Sequence, residues 1–139
     1  KTRLFIDREI YKVGVEVTAL GAFVSKLVDS KKDMIRADNA RPELISHLKR
    51  EGFSIRAADK WKGSVEDGIT YLRSFDEIVI HEDCINTIKE AELWSYKTDK
   101  INGEPLSELV DANNHAFDAL RYALQPIIKP APMPSIRVA

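Results

Sequence analysis

Met34-Ile35-Arg36-Ala37-Asp38, Asn39-Ala40-Arg41-Pro42-Glu43-Leu44-Ile45-Ser46-His47-Leu48-Lys49-Arg50-Glu51-Gly52 and Phe53-Ser54-Ile55-Arg56-Ala57-Ala58 follow one another without interruption, and they decide the fold. The first segment reads as a short buried strand. Pro42 suits the first turn of a helix, where its missing N–H costs nothing. The helix predicted over Pro42 to Arg50 turns Leu44, Ile45 and Leu48 inward, and Gly52 is placed to cap its C-terminus. Phe53 to Ala58 is a second strand. Strand, helix, strand is the repeating unit of α/β layers with a parallel part to the sheet.

The pattern extends in both directions. Before it, Thr2 to Tyr11 is extended in character, with aromatic and β-branched residues but imperfect alternation. Val15, Leu20, Phe23, Val24 and Leu27 then recur at helical spacing, up to a polar turn at Asp29 to Asp33. After it comes a loop, Lys60-Trp61-Lys62-Gly63, with Ser64 as the expected N-cap of a helix from Val65 to about Ser74. Glu66 and Asp67 sit in its first turn, where the helix dipole favours anions. Ile78-Val79-Ile80-His81 is a fourth strand, followed by a helix from about Asn86 to Trp94. A turn-prone hairpin is expected around Lys97 to Pro105, with Asn102-Gly103 at its tip. The last strong element is a helix from Asn113 to about Ile127, with Ala116, Leu120, Ala123, Leu124 and Ile127 on one face. The tail Pro126 to Ala139 has four prolines, two basic residues and no acidic ones, the composition of an extended arm. The expected organisation is one domain over residues 1–125 and a proline-rich tail over 126–139. A strand at the very start of the chain reads as a segment of a longer polypeptide.

Composition narrows the function. The 139 residues are 44% hydrophobic, enough to bury a core. Lys and Arg number 21 against 22 Asp and Glu, for a net charge of −1. That balance argues against a polybasic binder and against an acidic disordered tail. No apolar run approaches the roughly 20 residues that span a bilayer, so no membrane partner is expected. The one cysteine, Cys84, offers neither an internal disulfide nor a zinc spacing and reads as a small packing residue. Any metal would have to be held by carboxylates and histidines.

Two places could supply such ligands. Asp38 ends an apolar strand, and ligand sites in α/β sheets lie beyond the carboxyl ends of strands. It either caps the following helix or points into a cleft as a metal ligand. His81 ends a strand in the same way and is either a site residue or structural. His115 and Asp118 are three apart on the last helix and are expected on one face. Together with Asp38 they make a possible oxygen-rich site for Mg²⁺ or Mn²⁺.

These residues resemble a known family. Asn113-Asn114-His115-Ala116-Phe117-Asp118-Ala119-Leu120-Arg121-Tyr122-Ala123 looks like the closing motif of the C-terminal nuclease domain of tailed-bacteriophage large terminase subunits. Ile35 to Glu43, Lys62-Gly63-Ser64-Val65-Glu66-Asp67-Gly68-Ile69 and Ile78 to His81 match in order and spacing, so the resemblance covers about Thr2 to Leu124. It implies a ribonuclease-H-like mixed sheet flanked by helices. It also implies an endonuclease that cuts concatemeric double-stranded viral DNA with two divalent ions, Mg²⁺ or Mn²⁺, held by three acidic residues. Asp38 matches the second of these and Asp118 the third, with His115 beside it. The first belongs to strands expected upstream of Lys1; Asp7 does not match it. The isolated fragment is therefore expected to cut slowly or not at all. The resemblance further implies an ATPase motor domain in the same polypeptide, portal and small-terminase-subunit partners, and a place in the host cytoplasm, transiently on the procapsid.

The loop Lys60-Trp61-Lys62 either grips DNA phosphates or is a solvated loop with Trp61 folded back on the core. Arg56 and Lys129 are weaker DNA-binding candidates. Arg121, one turn after Asp118, is expected to orient that carboxylate through an ion pair, and His47 is expected on the surface. The rival to a nuclease is a non-catalytic α/β module docking on a portal or partner subunit.

Overall fold

Pro42 and Gly52 bound a helix as expected. A computed structural model of the chain describes residues 2–96, 114–128 and 134–139, and in it α2 runs over Pro42–Arg50. Glu43 lies in its first turn and His47, Lys49 and Arg50 in its last, matching the helix dipole. Gly52 follows at φ 96°, a left-handed conformation that costs glycine little. The other elements, in order, are β1 (Arg3–Ile6), α1 (Val17–Ser25), β2 (Ile35–Ala37), β3 (Ile55–Ala57), α3 (Ser64–Arg73), β4 (Glu77–Ile80), α4 (Ile85–Tyr96) and α5 (His115–Ile128), with α2 between β2 and β3.

Both strand ladders among the described residues are parallel. β2 pairs with β3, Arg36 opposite Arg56, and β1 pairs with β4, Ile6 opposite Ile80. Each is two-stranded. One face of β2–β3 carries the core: Ile45, Leu48, Phe53 and Ile55 are buried together, with Leu20 and Val24 of α1 packed against them. The fifth helix packs against β2, α3 and α4.

Four expectations change. Ser64 is the first residue of α3, and its N-cap is Gly63 at φ 84°, with no side-chain cap bond. α1 ends at Ser25, leaving Leu27 outside the helix and 37% exposed. α5 ends at Ile128, close to the expected end at about Ile127, so Pro126 to Ile128 belong to the helix and not to the tail. Its inward side is also rotated: Phe117 and Gln125 are buried, whereas Ala123 and Ile127 are exposed. Residues 134–139 have no regular secondary structure and are exposed. The hairpin expected around Lys97 to Pro105, Asn113 and Lys129 lie outside the described residues. No helix among those described is long and apolar enough to cross a membrane.

Candidate functional site

Asp38 lies just beyond the carboxyl end of β2. It does not cap α2, whose N-cap Arg41 makes no side-chain cap bond. Its Oδ1 instead accepts the Ala40 N–H at 3.3 Å and Lys60 Nζ at 3.0 Å. The Lys60 hydrogen bond holds the Asp38 carboxyl below the usual carboxylate range, against a burial that would raise it. The same bond raises Lys60, helped by the charges of Tyr122 and Asp118. Both side chains are about half exposed, so the pair adds little stability. Its location is what matters. Lys60 also lines a cavity of about 370 Å³ with Ser64, Asn114, Asp118, Arg121 and Tyr122. One ammonium group thus binds the first candidate carboxylate and lines the same cavity as the second.

Asp118 is held from the other side. Arg121 Nη2 donates to Asp118 Oδ1, and the arginine side chain is only 10% exposed, as expected of an orienting ion pair. The stem of Arg121 lies over Gly68 of α3, where a Cβ would come within 2.5 Å of Cδ and 2.8 Å of Cγ. Glycine at this position is what lets α3 and α5 meet.

Two residues that the sequence did not single out set the position of α5. Glu90, 5% exposed on α4, accepts the backbone N–H of Ala116 through both oxygens and that of Phe117 at 3.2 Å. It satisfies N–H groups that have no partner inside the helix. Beside it the rings of Trp94 and Phe117 stack 4.5 Å apart. At the far end, the buried Gln125 amide accepts the Asp59 N–H and donates to the Asp59 carbonyl. This fixes the backbone next to Lys60. The available signal for Glu90 was its spacing from Thr87 and Trp94, which places a carboxylate on the inward stripe of α4.

His115 departs from expectation. Its ring lies against Tyr11, centroids 6.1 Å apart. It lines a different, largely apolar cavity of about 530 Å³ with Ile6, Val13, Leu27 and Leu120. Although residues three apart on a helix are only about 60° apart around its axis, His115 and Asp118 line separate cavities. In the loop, Trp61 Nε1 donates to Asp67 Oδ2 at 2.7 Å, which turns the indole onto α3. With Lys60 held by Asp38, Lys62 is the loop cation left exposed without a described partner. His81 Nδ1 accepts the Asp83 N–H in the turn before α4, the structural alternative. Cys84 is fully buried, and burial pushes its thiol up. His47 is less of a surface residue than expected, at 23% exposure and 2.9 Å from Glu51.

Among the described residues no three Asp, Glu, His or Cys side chains gather into a metal cluster. Asp38 and Asp118 offer the hard carboxylate oxygens that Mg²⁺ or Mn²⁺ prefers, but Lys60 and Arg121 engage one oxygen of each, so a cation would share or displace them. Mg²⁺ keeps several waters and commonly takes only one or two protein carboxylates.

Comparison with known proteins bears on the family and the fold. The model of the Terminase RNAseH like domain matches residues 1–126. The chain is 37% identical over 128 residues to the large terminase subunit of Bacillus phage SPP1, covering 90% of this chain and 30% of that protein. It is 31% identical over 124 residues to the PBSX phage terminase large subunit of Bacillus subtilis (strain 168), covering 89% and 28%. It therefore spans less than a third of the length of these relatives. The crystal structure of the SPP1 large terminase nuclease domain with bound Mn superposes with a TM-score of 0.72 at 35% identity, covering 91% of this chain and 72% of that one. The ribonuclease-H-like α/β fold expected from the motifs is thereby established, and the chain belongs to the RNase H-like domain family of phage large terminases.

Proposed function

We propose that this chain is the nuclease domain of a DNA-packaging terminase and hydrolyses phosphodiester bonds of concatemeric double-stranded viral DNA with two divalent ions. The observation that carries the reading is the sharing of Lys60, which is bonded to Asp38 and lines the Asp118 cavity. Mn bound in the related SPP1 domain supports a divalent cofactor. Asp38 and Asp118 are the residues that would hold the cations. A bound divalent cation supplies Lewis-acid stabilisation of the charge that builds on the reacting phosphate. Arg121 fixes the rotamer of Asp118, and Lys60 neutralises Asp38 until a cation or a phosphate claims the cleft. Lys62 offers the loop's exposed contact to the DNA backbone. Among the described residues no Ser hydroxyl or Cys thiol is hydrogen-bonded to a histidine or carboxylate, which fits direct attack by water. In this reading the chain works beside an ATPase motor domain of the same polypeptide, with portal and small-subunit partners, on the procapsid in the host cytoplasm.

The test is nicking of supercoiled plasmid by the polypeptide that carries this chain, with Mn²⁺ or Mg²⁺ and with EDTA. Asp38→Asn and Asp118→Asn keep the side-chain shape but lose the charge that holds a cation. Both should abolish cleavage while leaving the circular dichroism spectrum unchanged. Undiminished nicking by either folded variant, or nicking in EDTA, refutes the proposal.

A further inference from the structure

Arg36 and Arg56 are register partners in the parallel β2–β3 ladder. Their neighbours Ile35, Ala37 and Ile55 belong to the core, so alternation places both arginines on the opposite face. Like charges directly opposite in a ladder destabilise it. A carboxylate between them would be the ordinary remedy. Among the described residues, however, no hydrogen bond or ion pair engages the side chain of Arg36, Arg56 or Lys49. Together with Ala57 and Asp59 these three line a groove of about 380 Å³, three cations against one carboxylate. Arg36 Nη1 is buried there without an acceptor. A buried guanidinium N–H left unpaired is costly unless something binds it. The geometry that satisfies paired guanidinium forks is the planar oxygen edge of a carboxylate or phosphate.

Position selects between them. Arg36 in β2 precedes Asp38, just past the end of that strand, by two residues, roughly 7 Å at strand rise. That is on the order of two base steps along a duplex, whose phosphates recur every ~3.4 Å of axis on each strand. We propose that Arg36, Arg56 and Lys49 form a phosphate-binding groove that holds the DNA backbone next to the phosphate presented to Asp38 and Asp118. The identity of the ligand as DNA rests on the nuclease reading above; the test does not depend on cleavage.

Affinity of the polypeptide that carries this chain is measured in EDTA for two unrelated duplexes over a salt series. The double variant Arg36→Gln/Arg56→Gln should lower the log–log salt slope by about 0.9 for each phosphate no longer neutralised, equally for both duplexes. Arg36→Lys/Arg56→Lys keeps the charge and should retain most of the slope. Thermal melts accompany each variant. Relief of the Arg–Arg repulsion should leave the glutamine variant at least as stable as the parent, so a reduced slope cannot come from unfolding. An unchanged slope overturns the proposal, as does a weakening confined to one duplex. So does inorganic phosphate binding that needs the arginines while the DNA slope stays intact, since the groove would then take a free anion. Nicking by Asp38→Asn is scored separately. Metal-independent or absent cleavage would sink the nuclease reading with the groove still standing, and an intact slope with Asp38-dependent cleavage would sink the groove alone.

Discussion

Gly68→Ala should destabilise the protein although it improves a helix. Glycine inside a helix costs ~0.5–1 kcal/mol relative to alanine, so propensity alone makes the substitution favourable. The added Cβ, however, would sit 2.5 Å from Arg121 Cδ and 2.8 Å from Cγ, far inside the ~3.5–4.0 Å optimum for carbon pairs. The arginine has little room to yield, being 10% exposed and bonded to Asp118. Overpacking of this kind costs ~1–3 kcal/mol, so the net loss is about 1 kcal/mol, or about 3 °C in Tm. Gly21→Ala is the control. A Cβ there would overlap the Glu51 carboxylate, but that is the end of a flexible side chain, 35% exposed. It can swing away at the expense of its pair with His47, ~0.3–0.5 kcal/mol, leaving the variant near neutral. Thermal unfolding followed by circular dichroism separates the two. In an Arg121→Ala background the Cδ and Cγ overlaps are gone and only the Cβ, 3.3 Å away, remains, so Gly68→Ala should then be near neutral or mildly stabilising. A Gly68→Ala protein as stable as the parent, or the same loss in both backgrounds, would refute the packing argument.

Glu90→Ala should strand the N–H groups of Ala116 and Phe117 and cost about 2 kcal/mol, read as a lower urea midpoint at constant slope. Glu90→Gln keeps an accepting oxygen and should cost less; equal losses would mean that the carboxylate fills space and caps nothing. Glu9 gives a pH signature. Burial would raise its carboxyl, but bonds from the N–H and hydroxyl of Thr87 and from Asn86 prevail and lower it below its ordinary value of 4.5. Its contribution to stability is therefore fully present above that value and is lost as pH falls through the depressed folded one. Melts between about pH 6 and pH 3, the span that brackets such a carboxyl, should show a steeper acid loss in the parent than in Glu9→Gln, and parallel curves would dismiss the idea.

What is legible in the sequence is what local chemistry determines. Pro42 and Gly52 bound α2 because fixed φ and positive φ are properties of single residues. The strands of the central repeat are legible because their apolar residues are buried by helices adjacent in sequence. The inward face of α5 is only partly legible, because beside the Phe117–Trp94 stack its partners are polar. Gln125 meets the Asp59 backbone and Arg121 meets Asp118, so a search for an apolar stripe selects Ala123 and Ile127, which the fold exposes. Ser64 looks like the cap because serine is a good one, whereas Gly63 does the job by conformation alone. Asp38 and Asp118 stand out through the motifs, but the residue that joins them reads as a DNA-gripping cation. No periodicity shows that Lys60 turns back to Asp38. His115 shows the limit of the spacing rule, since a helix wedged between two cavities can send residues three apart into different ones.

The arrangement around α5 has a consequence for how the protein is made. A growing polypeptide leaves the ribosome amino end first, and domains generally begin to fold in that order. Asp38, Lys60 and the Glu90 cap all emerge before the helix that completes them. The contacts that draw α5 home span 26 residues to Glu90 and 66 to Asp59, separations that slow folding. A nascent or prematurely terminated chain lacking α5 would thus carry Asp38 with its lysine but no opposing Asp118. Since the last proposed metal-holding carboxylate arrives on the helix that also pins the loop, the cleft cannot be assembled while its supporting framework is still missing. On the proposed nuclease reading, incomplete translation products of this domain should be harmless to nearby DNA.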